Sequence, residues 1–360
     1  MKKILYICSE YSPGMIPYGA NIVNTMKGEN VYAIFVSKGK HNYHNIVEKN
    51  DRYTFIEMPK GKLGALLFKL FPIKLILSIK KVCKKEKIDI VHYLTGEFIL
   101  ALYTKFSRKK YDLYYTVHDL TPHQVEKKKF FDSLIDKYIR WGVKSNRETI
   151  KNITTNSLQQ IDTLKTMYPE KKIVFTHFPS LITKGIEEGN DCPEEILGIS
   201  NYILFFGFVD AYKGVDLLIQ AYKQLTDKKN HQLVIAGKGI EYTDSEAGII
   251  RINRFIHDSE IKMLFEKANC VVYPYRSATM SGVLSLAYYF NKKILVSAVP
   301  FFLENIDKNE TLTFEPGNVE DLSKKLEAVL KKEHRNNASF YDRNYSKKTL
   351  MNDYFKLYGL

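Results

Sequence analysis

Short apolar runs that alternate with helical stretches constrain the fold of this chain more than any other feature. Twelve such runs are rich in β-branched and aromatic residues, and they are nearly continuous in their apolar character. Runs of that kind are typical of parallel strands that are covered by helices on both faces. We predict strands at residues 3–9, 31–37, 53–58, 88–93, 113–119, 152–157, 172–178, 202–208, 232–237, 249–255, 270–275 and 293–299.

The length of the chain and one of its connections indicate two domains. The 360 residues suffice for two domains of ordinary size. Residues 180–200 are rich in glycine and acidic residues and contain one proline, as a linker would be. We therefore expect an α/β fold with two doubly wound, Rossmann-like parallel-sheet domains that face each other across a cleft. In such sheets ligands bind beyond the carboxyl ends of the strands.

The charge and the cysteines limit the partners of the chain. Its formal net charge of +14 favours anionic partners, such as phosphates, a membrane surface or nucleic acid. Nucleic acid is the least favoured, because the basic residues lie beside aliphatic residues and no known binding module is present. The four cysteines are scattered, as in a cytosolic protein with reduced thiols, and the histidines lack the spacing of metal ligands.

We expect neither a signal peptide nor a membrane span. The first apolar run ends at Ser9 and Glu10, too early for a signal peptide. Residues 63–79 form the most hydrophobic window, but Lys69, Pro72 and Lys74 interrupt it. We therefore expect a cytoplasmic protein that contacts the inner face of the cell membrane.

The basic charge is concentrated in residues 60–87, which contain nine lysines and one acidic residue, Glu86. Aliphatic and aromatic residues are interleaved with these lysines, as in an amphipathic segment that lies on a membrane surface. Each lysine near an anionic bilayer contributes about 1 kcal/mol. The alternative is that the apolar face packs on the sheet while the lysines are solvated.

Several motifs together resemble one family. In the second half these are "ILFFGFVDAYKGVDLLIQAY", "LVIAGKG" and the segment from "RFIHDSE" to "YPYRSATMSGVLSLAYYF". In the first half, "IDIVHYLTGEF" and "YYTVHDLTPH" contribute. In this order and spacing they resemble the retaining GT-B glycosyltransferases of family four (glycosyl transferases group 1), of a bacterial polysaccharide-assembly type. The resemblance spans nearly the whole chain.

The resemblance implies a hexosyltransferase that moves a sugar from a nucleotide-diphosphate-sugar, such as a UDP-sugar, with retention of anomeric configuration. The acceptor would be a saccharide or a polyprenyl-linked saccharide, and no metal or resident cofactor would be required. Residues 1–185 would bind the acceptor and residues 199–342 the nucleotide-sugar. Residues 343–360 would form a helix that packs back on the first domain.

The sequence departs from the family pattern at three positions. The family usually carries two glutamates separated by seven residues, where this chain has Ala278 and Leu286. An arginine often follows the first glycine of the phosphate loop, where this chain has Phe208. These departures concern recognition of the donor and its ribose.

The donor diphosphate is expected at the start of the helix that follows residue 282. No acidic residue lies in the first turn of that helix, so an anionic ligand could balance its positive end. The residues predicted to bind the diphosphate are Lys213, Arg276, Thr279, Ser281 and Gly282. The alternative is that Ser281 and Gly282 cap a core helix and Lys213 is a solvated loop residue.

In the first half, His118 and Asp119 end a predicted strand. By resemblance, His118 contacts the transferred sugar, and Asp119 orients its ring or assists the acceptor hydroxyl. The alternative is local: Asp119 caps the next turn, and His118 is an ordinary hydrogen-bonded residue.

Two further groups of candidate residues are less specific. Gly14 and Gly19 follow the first strand and would bring the backbone near the diphosphate or the acceptor, unless they are plain turn residues. Arg254, Phe255 and Ile256 lie where the family places the nucleotide base. They would also fit a strand-to-helix connection with Asp258 or Ser259 as the N-cap.

We expect a front-face mechanism with His118, Asp119 and Lys213 as the catalytic residues. The leaving diphosphate oxygen would accept the proton of the acceptor, while Lys213 and the helix end stabilise the developing charge. Three other functions stay open. They are a non-catalytic nucleotide-sugar-binding partner of a transferase, a nucleotide-sugar epimerase with this architecture, and an inverting transferase.

Overall fold

The computed structural model describes residues 1–10, 15–38, 43, 46–120, 130–243, 246–278, 281–334 and 336–360. These residues divide into two units: unit 1 comprises Met1–Pro179 and Lys347–Leu360, and unit 2 comprises Ser180–Ser346. The chain therefore passes from unit 1 to unit 2 and back again. The boundary at Pro179 assigns residues 180–185 to the second unit, whereas the sequence had placed them in the first.

The strands of the described residues form one sheet in each unit. Unit 1 contains β1 (Ile4–Ser9), β2 (Val31–Ser37), β3 (Tyr53–Glu57), β4 (Ile90–Tyr93), β5 (Asp112–Val117), β6 (Asn152–Thr155) and β7 (Lys172–Phe175). Unit 2 contains β8 (Tyr202–Phe206), β9 (Leu233–Ala236), β10 (Ile249–Ile252), β11 (Ala268–Tyr273), β12 (Lys293–Ser297) and β13 (Leu312–Phe314). The orders are β3-β2-β1-β4-β5-β6-β7 and β10-β9-β8-β11-β12-β13.

Every neighbouring pair in both sheets is parallel. The prediction of two parallel, Rossmann-like sheets is therefore confirmed, and each of the twelve predicted runs contains a strand. The sequence missed β13, which has only three residues. All six residues of β1 are buried, as expected of a central strand that is covered on both faces.

Helices connect the strands. The first seven are α1 (Met15–Thr25), α2 (Lys62–Leu70), α3 (Ile73–Glu86), α4 (Ala101–Ser107), α5 (Phe130–Thr149), α6 (Leu158–Met167) and α7 (Lys184–Glu188). The others in the described part of the chain are α8 (Val215–Lys223), α9 (Asp258–Lys267), α10 (Val283–Tyr289), α11 (Pro300–Asn305), α12 (Val319–Lys331), α13 (Ala338–Asn344) and α14 (Lys347–Tyr358). None of them is both long and apolar enough to cross a membrane.

The segment that was interpreted as a linker is folded into unit 2. Residues 180–200 contain α7 and a short 3-10 turn, Glu194–Ile196. Ile182, Ile186 and Ile196 are buried in the hydrophobic core of unit 2. The composition of the segment is that of a linker, but these three isoleucines anchor it in the core of unit 2.

Helix α14 packs on unit 1. Its apolar side chains Leu350, Tyr354, Leu357 and Tyr358 join the core that α1 and β1 form on one face of the sheet. Its carboxyl end is held by two lysines: Lys2 Nζ donates to the Tyr358 carbonyl at 2.8 Å, and Lys172 Nζ donates to the Leu357 carbonyl at 3.1 Å. Cations stabilise a helix end of this polarity because its last carbonyls have no partner within the helix.

A buried histidine joins α14 to the sheet. His92 of β4 is completely buried, and its Nδ1 lies 2.6 Å from the Tyr358 hydroxyl. Its Nε2 lies 3.0 Å from the Thr116 hydroxyl of β5. Burial lowers the pKa of His92 to about 3, so the neutral ring is the form that fits this site.

We expect His92 to make unit 1 sensitive to acid. Because its pKa in the folded protein lies below the ordinary value of 6.5, the unfolded state binds more protons between pH 6.5 and about 3. Stability is therefore lost as the pH falls through this window, by up to about 1.4 kcal/mol per pH unit. A His92→Gln variant should be less stable at pH 7 but lose less stability between pH 6.5 and 4, as measured by thermal unfolding. Equal pH slopes in the two proteins would contradict this assignment.

Candidate functional site

The loops at the carboxyl edge of the unit 2 sheet approach one another closely. Gly237 follows β9 with a φ of 145°, and a Cβ there would lie 2.0 Å from the carbonyl oxygen of Gly207, which follows β8. Gly214 has a φ of 65°, and its Cβ would lie 2.0 Å from the carbonyl oxygen of Pro274, which follows β11. Only glycine fits such positions, so Gly214 and Gly237 allow the loops after β8, β9 and β11 to approach one another.

Lys213 lies among these loops and is buried. It ends a 3-10 turn, Ala211–Lys213, and its side chain is only 8% exposed. Its Nζ lies 5.3 Å from the centre of the Tyr275 ring and 3.3 Å from the point where a Cβ on Gly207 would stand. The solvated-lysine interpretation is therefore wrong.

The charge of Lys213 lacks a close counter-ion within the described residues. No carboxylate of the described residues lies within salt-bridge distance of Lys213 Nζ. The ammonium instead makes cation–π contacts with the rings of Tyr212 and Tyr275. Burial lowers the pKa of Lys213 from the ordinary value of 10.5, and electrostatic interactions with Tyr212 and Asp210 oppose this effect. A buried ammonium without a carboxylate is costly, which is the arrangement expected of a group that awaits an anion.

Arg276, by contrast, is already paired. Its guanidinium donates to both carboxylate oxygens of Asp216 at 2.8 and 2.6 Å, and also to the Ala211 carbonyl at 2.9 Å. The hydrogen bond from Arg276 lowers the pKa of Asp216. Arg276 therefore fixes the loop after β11 against the start of α8, and the structure does not present it as a second unpaired cation.

Ser281 and Gly282 precede α10, as the sequence predicted, whereas Thr279 lies outside the described residues. The Ser281 hydroxyl is 3.4 Å from the hydroxyl of Tyr275, so it lies near the ring that faces Lys213. Helix α10 has seven residues, and its side chains from Val283 to Tyr288 are buried. Ser281 and Lys213 are therefore brought together, at the start of a short core helix.

The two positions that the sequence analysis aligned with the family's glutamates, Ala278 and Leu286, have apolar surroundings. Leu286 lies in α10, is 1% exposed and belongs to the core of unit 2. Ala278 packs against the same core from the loop after β11. Neither position offers a charged group to a ligand.

The segment predicted to bind the base has only one side chain that is available for contact. Arg254 forms ion pairs with Glu260 at 2.6 Å and with Glu195 at 3.2 Å, which raise the pKa of its guanidinium. Ile256 is buried in the core, whereas Phe255 is 72% exposed. Helix α9 begins after an N-cap at His257, whose backbone N–H donates to Glu260. Asp258 and Ser259 are thus inside the helix and are not its N-cap.

In unit 1, His118 follows β5 with its ring fixed in one tautomer. Its Nε2 lies 2.7 Å from the carbonyl oxygen of Leu94, which can only accept, so Nε2 carries the proton and Nδ1 carries a lone pair. Burial lowers the pKa of His118, which favours this neutral form. The ring is therefore oriented by the Leu94 carbonyl, whereas the sequence analysis gave this as one of two possible roles of Asp119.

Two acceptor atoms at this strand end have no partner in the described part of the chain. They are Nδ1 of His118 and Oδ1 of Asp119, and both are buried. Buried polar atoms are nearly always hydrogen-bonded in folded proteins. These two atoms are therefore suited to accept hydrogen bonds from the hydroxyl groups of a ligand.

Sequence reasoning missed Glu97, a buried carboxyl group at the end of β4. Its Oε1 accepts from the Thr95 hydroxyl at 2.5 Å, and the same hydroxyl oxygen accepts from the Ser9 backbone N–H at 2.6 Å. Burial raises the pKa of Glu97 to about 7. This network ties the loop after β4 to the end of β1, but Glu97 sits between apolar residues of the chain and carries no signal in the sequence.

The two glycines that follow β1 are not a binding loop as far as the structure describes them. Gly19 lies inside α1, and a Cβ there would lie 3.0 Å from the Cys8 sulphur, so it allows close packing of the helix on β1. Gly14 lies outside the described residues. No group of three or more His, Cys, Asp or Glu residues suited to hold a metal ion occurs in the described ranges.

The buried charge of Lys213 should reduce the stability of unit 2. We expect Lys213→Met to stabilise the protein by about 1 kcal/mol at pH 7, because the desolvation cost of roughly 1–3 kcal/mol is removed together with a weaker cation–π contact. The gain should shrink as the pH rises, since the lowered pKa lets the native lysine lose its charge below pH 10.5. Thermal unfolding of Lys213→Met and of the exposed control Lys223→Met measures the difference. A clear loss of stability in Lys213→Met would contradict the interpretation that the buried charge of Lys213 destabilises unit 2.

Residues 194–346 match a family model described as glycosyl transferases group 1. Among the curated proteins, none matches the chain in sequence.

Solved structures of similar fold cover the whole chain. HepE (Alr3699) from Anabaena in complex with UDP and glucose has a TM-score of 0.71 at 16% identity, with 100% of both chains covered. Sucrose-phosphate synthase from Thermosynechococcus elongatus has a TM-score of 0.72 at 14% identity, with 100% of this chain and 98% of that chain covered. WaaG, a glycosyltransferase involved in lipopolysaccharide biosynthesis, has a TM-score of 0.69 at 15% identity, with 99% and 100% covered. The chain therefore has the fold of the GT-B glycosyltransferases, and its residues 194–346 match the family model of the glycosyl transferases group 1.

Proposed function

We propose that the protein is a retaining glycosyltransferase. It moves a sugar from a nucleotide-diphosphate-sugar to a saccharide or polyprenyl-linked saccharide acceptor, in the cytoplasm, for the synthesis of a cell-surface polysaccharide. The observation that carries the proposal is the buried, carboxylate-free ammonium of Lys213 at the strand ends of the family domain. The complexes of the Anabaena protein with UDP and with UDP-glucose support a nucleotide-sugar donor.

Lys213 supplies the charge that a diphosphate requires. Micromolar affinity corresponds to about 8 kcal/mol, whereas a helix end contributes roughly 0.3–2 kcal/mol. The short helix α10 therefore cannot hold the donor alone. Charge-assisted hydrogen bonds contribute about 1.5–3 kcal/mol each, and Lys213 is a buried cation of this edge that no described carboxylate engages. Ser281 adds a hydroxyl donor beside it.

The proposed reaction takes place on one face of the sugar. The acceptor hydroxyl attacks the anomeric carbon from the side on which the diphosphate departs. The new C–O bond forms as the bond to the diphosphate oxygen breaks, and the acceptor proton passes to that oxygen. The ammonium of Lys213 stabilises the charge that develops there. No resident cofactor takes part, and the donor is a co-substrate.

Unit 1 contributes hydrogen-bond acceptors. His118 Nδ1 and Asp119 Oδ1 are buried atoms that have no hydrogen-bond partner among the described residues. We assign them to hydroxyl groups of the transferred sugar or the acceptor. Because the pKa of His118 is lowered by burial, the ring stays neutral and able to accept at neutral pH.

Nucleotide affinity tests the site directly. Lys213→Ala should bind UDP or GDP about 10- to 150-fold more weakly than the native protein, the loss expected for one charge-assisted hydrogen bond. Isothermal titration calorimetry measures this, with Lys223→Ala on the neighbouring helix as the control. Native affinity should also fall as the pH rises toward 10.5, because the lowered pKa lets Lys213 lose its proton early. Unchanged affinity in Lys213→Ala would remove the assignment of the diphosphate site.

Turnover separates the proposed reaction from its alternatives. Nucleotide-sugars are incubated with saccharide and lipid-linked acceptors, and the product anomer is determined by NMR. Retention is expected, and His118→Ala should reduce turnover by about tenfold, the loss expected for one hydrogen bond to the sugar or the acceptor. An inverted product would overturn the front-face mechanism. Nucleotide binding without turnover would indicate a non-catalytic partner, and conversion of the donor without an acceptor would indicate an epimerase.

A further inference from the structure

Helices α2, α3 and α4 form a layer on one face of the unit 1 sheet. Their inner side chains, among them Phe68, Leu75 and Ile79, belong to the core that also contains Leu5 and Ile7 of β1. Helix α14 and α1 cover the opposite face with a separate core. The outer sides of α2, α3 and α4 therefore belong to one surface, which we term the α2–α4 face.

The α2–α4 face exposes large apolar side chains that do not pack in the core of unit 1. Seven of them are between 49% and 80% exposed: Leu63, Leu67, Phe71, Ile73, Leu77, Leu102 and Phe106. Leu63 and Leu67 lie one turn apart on α2, and so do Ile73 and Leu77 on α3, so each helix presents an apolar stripe to solvent. The three longest helices of unit 2, α8, α9 and α12, expose no large apolar side chain.

Lysines surround these apolar residues. Lys62, Lys74, Lys80, Lys81 and Lys84 are exposed on α2 and α3, and the three helices contain a single acidic residue, Glu86. That carboxylate is engaged by Lys85 at 3.1 Å and by the Tyr32 hydroxyl at 2.9 Å. Among the described residues, none of the five exposed lysines forms an ion pair, although Lys81 lines a groove together with Glu29 and Asp51.

A groove between α3 and α4 combines both features. It has a volume of about 380 Å³, and its walls include Ile76, Leu102 and Phe106, with Lys80 and Lys110 among the residues that line it. An apolar floor with ammonium groups beside it matches a lipid, whose acyl chain is apolar and whose headgroup is anionic.

We propose that the α2–α4 face docks on an anionic lipid bilayer. Its aliphatic and aromatic side chains enter the interface between headgroups and acyl chains, and its lysines contact the lipid phosphates. A second copy of this chain is a poor occupant, because a two-fold contact would place two lysine-rich surfaces against each other. The proposal rests on exposure and charge in unit 1 and is independent of the activity proposed above.

Vesicle flotation tests the docking with the full chain. The protein should float with vesicles of phosphatidylglycerol and phosphatidylcholine at low salt. It should stay unbound with pure phosphatidylcholine, and be released at about 0.5 M NaCl, where the screening length is only a few ångströms. Lys80→Glu/Lys84→Glu should weaken partitioning by about 25-fold or more, at about fivefold per lysine. The control Lys324→Glu/Lys331→Glu, on α12, should bind as the native protein does.

A second pair of variants tests the apolar part of the face. Phe71→Ser/Leu77→Ser should weaken partitioning by about tenfold or more while its salt dependence is retained. The control Leu158→Ser/Met167→Ser removes two side chains of α6 that are each 49% exposed and should have no effect. Nucleotide binding, which uses unit 2, should be unchanged in all four variants.

Three results would overturn the proposal. The first is a native protein that stays unbound to anionic vesicles at low salt. The second is equal binding to anionic and neutral vesicles. The third is a native dimer that Phe71→Ser/Leu77→Ser converts to a monomer in size-exclusion chromatography with light scattering, because the face would then be covered by a second copy.

Discussion

Parallel pairing of strands is the constraint on which the rest of this protein depends. A strand that is covered by helices on both faces must be apolar along its length, so polar chemistry is confined to the loops at its ends. In unit 2 the loops after β8, β9 and β11 meet at one edge because these strands are near neighbours in the sheet. The same constraint places His118 and the Thr95–Glu97 network at the carboxyl ends of β5 and β4 in unit 1.

Among the residues at these strand ends, the buried charge of Lys213 is the feature that the fold alone does not explain. The Lys213 ammonium loses most of its hydration on folding and has no carboxylate partner among the described residues. Its cation–π contacts with Tyr212 and Tyr275 compensate for only part of the lost hydration energy. Arg254 and Arg276 show how the same chain treats structural cations, since each is held by carboxylates. The contrast between paired arginines and an unpaired lysine distinguishes groups that hold loops in place from a group that is left ready for an anion.

The sequence was sufficient for the architecture, and less so for the site. Twelve strands could be predicted because each lies in a run rich in apolar or β-branched residues, whereas β13 has only three residues. Lys213 and Ser281 could be named from motifs, but the ring of Tyr275 between them depends on the adjacency of β8 and β11. The engagement of Arg276 by Asp216 and of Arg254 by Glu195 and Glu260 joins residues from separate elements. For that reason no local pattern could indicate which cations are unpaired. The composition of residues 180–200 was misleading, because three buried isoleucines outweigh its glycines and acids.

The return of α14 to unit 1 has a consequence for synthesis on the ribosome. Unit 2 is continuous, so all of its residues are available once Ser346 has left the exit tunnel. Unit 1 must wait, because Leu350, Tyr354 and Tyr358 complete a core whose other members, in β1 and α1, are made first. For most of elongation α14 has not yet been made, so it cannot cover the apolar side chains of β1 and α1 with which it packs in the folded protein. The nascent chain is therefore a candidate for protection by chaperones until its last helix has docked.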